Sequence, residues 1–140
     1  TPLYSSAASD VYKRQLYTVG RWTEAVDQSM EILNRIDNKQ YGYESNSGRY
    51  AAFFVAEYHN RVGNRAEAKK YFLKTVAYGE ESESQESGYY LHSLIQLGKI
   101  ETAAKNKVQA KKYFDRVKKY AKRKHPAHKE ARDFIKKNKL

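Results

Sequence analysis

Apolar positions along the chain recur with the period of a helix, not the alternation of a strand. Ala68, Phe72, Thr75 and Val76 fall at i, i+4, i+7 and i+8, so they share one face of a helix. Ala110, Phe114, Val117 and Ala121 make a comparable face further on. In each, a small Ala lets a paired helix approach and a Phe fills the space one turn later. The stretch 49–62, rich in small and aromatic residues, predicts a preceding helix that stops at Gly63, where a left-handed residue is needed. Its counterpart spans about 88–104 and carries Leu91, Leu94, Ile95, Leu97 and Ile100. Between these elements, the segments 37–47 (DNKQYGYESNS) and 79–87 (GEESESQES) read as solvated connectors. After Lys124-His125-Pro126, a proline suited to the first helical position opens a last helix. Its apolar content lies on one face: Ala127, Ala131, Phe134 and Ile135.

These elements repeat. Residues 64–72 (NRAEAKKYF) and 106–114 (NKVQAKKYF) agree at six of nine positions, 42 residues apart. Upstream, Ser47-Gly48-Arg49-Tyr50 matches Ser87-Gly88-Tyr89-Tyr90 at an offset of 40, and a weaker copy begins at Gly20-Arg21-Trp22 with Ala25. A period near 40 made of two helical patterns is the mark of a helix-pair solenoid, in which each unit buries its apolar face against its neighbours.

The spacing Gly20-x-Trp22-x-x-Ala25, repeated as Gly63-x-Arg65-x-x-Ala68-x-x-x-Phe72 and again with Leu97-Gly98, Ala110 and Phe114, resembles the tetratricopeptide repeat family over about 16–124. Unit three departs from that pattern in Lys105, where Gly is expected, and in Glu101, where an aromatic usually packs. His59 holds the aromatic position in unit two, and the units exceed the usual length of about 34 residues. The resemblance implies an all-α fold: antiparallel helix-pair repeats stacked as a short right-handed α-solenoid. The units are a truncated 16–40, then 47–80 and 86–124, with 125–140 as a basic C-terminal capping helix. It also implies a non-catalytic protein–protein interaction scaffold that holds a peptide or helix of a partner protein on the inner face of its first helices. Carried over position by position, that face comprises Tyr50, Phe53, Glu57 and Asn60, followed by His92, Ile95 and Lys99. The family's chaperone-tail binders clamp a terminal carboxylate with Lys, Asn and Arg. Phe53 and Glu57 stand where Lys and Asn would be needed, which argues against that subclass.

Charge changes the picture at the C-terminal end. The formal net charge is +11, yet residues 16–98 hold nine Lys/Arg against eleven Asp/Glu, while 99–140 hold sixteen against four. The alternative function is therefore nucleic-acid or anionic-membrane binding through a basic surface that includes Lys118, Lys119, Lys122, Arg123 and Lys124, with Tyr113 and Tyr120 interleaved. A plain solvated exterior and an acidic protein partner account for the same residues. No contiguous aromatic platform of the kind single-strand binders use accompanies them.

Catalysis finds no local signature, and no cofactor is implied. Glu80, Glu81, Glu83 and Glu86 sit in a Ser-rich segment ill-suited to pre-organised acid–base work. His125 and His128 are three apart but surrounded by lysines that repel cations, so they read as helix-boundary polar residues and not as metal ligands. The chain has no cysteine, which excludes disulfides and thiol chemistry and leaves the compartment undecided, with the cytoplasm slightly favoured. No stretch approaches the ~20 apolar residues of a membrane span. Residues 5–15 (SSAASDVYKRQ) resemble the translation of a sequencing-library adapter, and Thr1 to Tyr4 fit its upstream continuation. The expectation is that 1–15 is non-native and that the natural protein is longer.

Overall fold

A computed structural model describes residues 22–140, so the expectations placed on 1–15, on the start of unit 16–40 and on Gly20-Arg21 lie outside the described residues. Those described form six α-helices and no strand. They are α1 (Trp22–Asp37), α2 (Ser45–Arg61), α3 (Arg65–Glu81), α4 (Gly88–Ala103), α5 (Lys107–Tyr120) and α6 (Pro126–Lys137). The helices α3 and α5 bury the stripes their sequence spacing anticipates, while Ile100 of α4 and Phe134 and Ile135 of α6 are only half-buried. In α3 the buried stripe is Ala68, Phe72, Thr75 and Val76 together with Tyr71 and Gly79, and in α5 it is Ala110, Phe114 and Val117 together with Tyr113. Two buried hydroxyls are satisfied within their helices, whereas the buried Ser93 Oγ has no hydrogen-bond partner. Ser29 donates to the Ala25 carbonyl at 2.8 Å and Thr75 to the Tyr71 carbonyl at 2.9 Å.

Successive helices pack on one another along the chain, as in a solenoid. The first helices α2, α4 and α6 also touch in sequence, α2 on α4 and α4 on α6. Among the described residues, the second helices α1, α3 and α5 meet only through long charged side chains, Lys74 with Asp37 and Arg116 with Glu80, and their backbones do not approach closely. The stack is therefore tighter along α2, α4 and α6, which makes that side the inside of the curve.

Helix ends repeat more faithfully than the sequence does. After α1, α2, α3, α4 and α6 the chain passes through a left-handed residue: Lys39, Gly63, Glu83, Lys105 and Lys139, with φ between 53° and 83°. At each, its N–H bonds back three residues and the next N–H bonds back five, as in Asn64 N to His59 O at 2.8 Å and Asn106 N to Glu101 O at 2.8 Å. This pair of bonds is the Schellman motif, which satisfies the last carbonyls of a helix. Of the five, Gly63 alone has the residue type that announces the motif.

The connector expected over 79–87 begins later than the sequence suggests. Gly79, Glu80 and Glu81 continue α3, and Gly79 is buried. A Cβ on Gly79 would stand 2.7 Å from Tyr90 Cδ2, and one on Gly98 only 2.5 Å from Phe114 Cε2. The missing side chains let an aromatic ring of the next helix rest on the backbone. The other connector is also shorter than 37–47, because α2 starts at Ser45 and buries Ser47.

Candidate functional site

The inner side of the curve carries two matched rows of side chains. On α2, Tyr50, Phe53, Glu57 and Asn60 are spaced i, i+3, i+7 and i+10, and on α4 Tyr89, His92, Gln96 and Lys99 have the same spacing. Residues so spaced share one helix face. The rows meet rung by rung. The Tyr50 and Tyr89 rings pack edge to face with centroids 4.6 Å apart, and Phe53 packs the same way on Tyr89 at 5.1 Å and on His92 at 5.4 Å. Glu57 Oε1 lies 3.0 Å from His92 Nε2, and Asn60 Nδ2 donates to Gln96 Oε1 at 3.3 Å. Lys99 extends the series to α6, where its Nζ is 3.6 Å from Glu130 Oε1. The Arg49 guanidinium lies over the Tyr50 ring and donates to its hydroxyl at 2.8 Å. These side chains are neither core nor free. His92 and Lys99 are each 41% exposed and Glu57 18%.

One sequence-derived position is displaced. Ile95 is 2% exposed and belongs to the hydrophobic core, so it does not line the inner face. Gln96 occupies that place, and Tyr89 begins the row. Both were recoverable by transferring the α2 spacing onto α4 from His92. Following the apolar residues of α4 instead leads to its buried side.

Two polar clusters stitch neighbouring helices together behind this face. Glu101, where the repeat pattern calls for an aromatic, is 3% exposed. It takes the Lys69 ammonium at 2.6 Å and the Asn106 amide at 2.9 Å, joining α3, α4 and the start of α5. The hydrogen bond to Glu101 raises the Lys69 pKa. Because Asn106 is drawn to Glu101 it leaves α5 without a side-chain cap, whereas its repeat equivalent Asn64 accepts from Glu67 N in α3. In the second cluster, Tyr90 donates to Glu80 Oε1 at 3.1 Å, and Arg116 bonds both Glu80 and the Tyr90 hydroxyl. Burial pushes the Tyr90 phenol up to about 12, with Arg116 opposing. Glu80 thus belongs to α3 and bridges to Tyr90 and Arg116, not to a loop as the sequence suggested, though it is exposed like Glu81, Glu83 and Glu86. His59, in the equivalent aromatic position, stacks on Tyr71 with centroids 6.0 Å apart.

His125 caps α6, its Nδ1 accepting from Ala127 N at 3.0 Å. No group of three or more His, Cys, Asp or Glu that could hold a metal occurs among the described residues. Lys119, Lys122, Arg123 and Lys124 are exposed and Lys118 half-buried, and Lys119 Nζ lies 5.2 Å from the Tyr120 ring centroid. No helix among the described residues is long and apolar enough to cross a membrane.

No family model matches the chain, and no curated protein matches it. Two solved structures do. One is a Podosopora anserina protein named as a kinesin light chain, built of nearly identical TPR-like repeats; it superposes with a TM-score of 0.69 at 17% identity over 99% of this chain. A single-substitution variant of that protein gives 0.67 at 17% identity over 94%. The chain spans 66% and 64% of those two chains. At this identity the likeness is one of fold. The molecule has the TPR-like helical-repeat fold.

Proposed function

We propose that this chain is a non-catalytic scaffold that binds a peptide or helix of a partner protein along the inner face of α2 and α4. The observation that carries the reading is the matched double row at i, i+3, i+7 and i+10, half-exposed and mixed aromatic and polar. Apolar rings supply contact area, while Glu57, His92, Asn60 and Gln96 offer hydrogen bonds that fix orientation, the usual division of labour in a peptide groove. The rows hold each other in place, so a ligand meets a pre-arranged surface and its binding costs less ordering. The test is selection from a displayed random-peptide library on the 140-residue chain. Selected peptides should lose about tenfold or more in affinity on Phe53→Ala combined with Tyr50→Ala, with the helical circular dichroism retained. Selected peptides indifferent to both substitutions would remove this face from consideration.

A second reading, nucleic-acid or anionic-membrane binding, is supported by the exposed cations Lys119, Lys122, Arg123 and Lys124. It requires binding of RNA, DNA or anionic vesicles that weakens steeply with salt. Absence of binding at low ionic strength rules it out.

A further inference from the structure

The outer side of the stack has an unfilled position whose chemistry the repeat itself specifies. Lys69 in α3 and Lys111 in α5 are equivalent residues of the two NxxxAKKYF segments. Lys69 is satisfied by Glu101, a carboxylate near the end of the following helix. Aligning the left-handed residues that close α4 and α6, Lys105 with Lys139, puts Ile135 where Glu101 stands. No acid therefore takes the place of Glu101, and among the described residues no side-chain carboxylate pairs with Lys111. A groove of about 330 Å³ lies there, between the first turns of α5 and the end of α6. Val108, 73% exposed, and Leu140 are its apolar residues, and Lys107, Lys111, Lys112 and Lys139 surround them. Even counting Asp115, four cations face one anion. An exposed aliphatic residue ringed by surplus cations favours an anionic ligand with an apolar side chain. No aromatic ring lines the groove, so nothing there stacks a nucleobase.

We propose that this groove takes an acidic segment of a partner protein. A carboxylate would stand on Lys111 as Glu101 does on Lys69, and an aliphatic side chain would lie against Val108 and Leu140. The site is on α5, in the outer layer, and is independent of the inner face of α2 and α4.

Fluorescence anisotropy of a labelled synthetic peptide of alternating glutamate and leucine, titrated with the full chain, tests it. The peptide should bind, and Val108→Asp and Lys111→Gln should each weaken it about tenfold. Both residues are exposed, and an aspartate in the first turn of α5 suits the helix dipole, so loss of binding would not reflect unfolding. Tyr50→Ala with Phe53→Ala should leave this binding unchanged. The proposal is overturned by any of four results: no binding of the peptide, equal binding of a glutamate–serine peptide of the same charge, tighter binding of oligouridine or phosphatidylserine vesicles, or binding insensitive to Val108→Asp and Lys111→Gln. Loss of binding on the Tyr50/Phe53 substitutions would move the peptide to the inner face and overturn it as well.

Discussion

Lys105 holds a left-handed backbone, φ 63°, at the place where the equivalent turn after α2 uses Gly63 at φ 83°. A Cβ is disfavoured there, while glycine loses more freedom on folding. The net expectation is that Lys105→Gly stabilises the chain by about 0.5–1 kcal/mol, read as a higher urea midpoint with an unchanged slope. Gly98→Ala should do the reverse. Its Cβ meets the buried Phe114 ring, and overpacking of this kind costs about 1–3 kcal/mol. Gly88→Ala, with nothing within 4 Å of the new Cβ, is the neutral control. Titration gives a further residue-scale expectation. Tyr90 is raised from 10.0 to about 12, mainly by burial, and Tyr78 and Lys69 are raised as well. A raised pKa means the folded chain keeps a proton that the unfolded chain has released. The stability from these groups is therefore complete below about pH 10 and lost as pH climbs from there toward 12. Urea midpoints measured across pH 9–12 should fall, and Tyr90→Phe should flatten part of that decline. Of these features the sequence disclosed Gly63, and through the repeat pattern the places of Lys105 and Gly98. The others depend on which residues end up facing a neighbouring helix, and local sequence does not encode that.

At the scale of the element, α6 shows how a helix with a single apolar face is held. Ala127 and Ala131 are buried, Phe134 stacks on Phe114 with centroids 4.7 Å apart, and Lys99 meets Glu130. The ring contact is the largest apolar anchor of the helix. Phe134→Ala should cost about 2–3 kcal/mol, below a fully buried phenylalanine because Phe134 is half-buried. The existence of α2 to α6 was legible, because a helical stripe must bury itself whatever its neighbours are, and α1 entered through the weaker repeat copy at Trp22 and Ala25. Their ends were less so. Gly79-Glu80-Glu81 has the composition of a loop, yet Tyr90 packs on Gly79, and Tyr90 with Arg116 holds Glu80, so α3 runs on through them. Ile95 fails for a related reason. Its helix is apolar on more than one side, so apolar character alone cannot distinguish the inner face from the core.

Across the whole molecule, contacts among the described helices join each to the next and, along the inner side, first helix to first helix. Stability in such a stack is close to a sum of neighbour terms. A perturbation at one end should therefore fade along the chain. Hydrogen exchange on Phe134→Ala should accelerate in α6, α5 and α4 while amides of α1 and the first half of α2 keep their protection. Uniform acceleration would instead mark the stack as one cooperative unit.

The sequence by itself determined the class of architecture and the pairing of helices. Period and repetition are properties of the chain, and an apolar stripe recurring every 40 or so residues has few ways to be buried. Through the resemblance to the tetratricopeptide repeat it also marked Tyr50, Phe53, Glu57 and Asn60 as one face of α2. What only the tertiary structure decided is which residues of α4 meet that face, that Glu101 and Lys69 are partners, and that Lys111 lacks one. Each of these depends on the rotation and offset of one helix against another. Those are set by the fit of rings such as Tyr90 and Phe114 onto glycine backbone, an outcome of packing that no single segment of sequence contains.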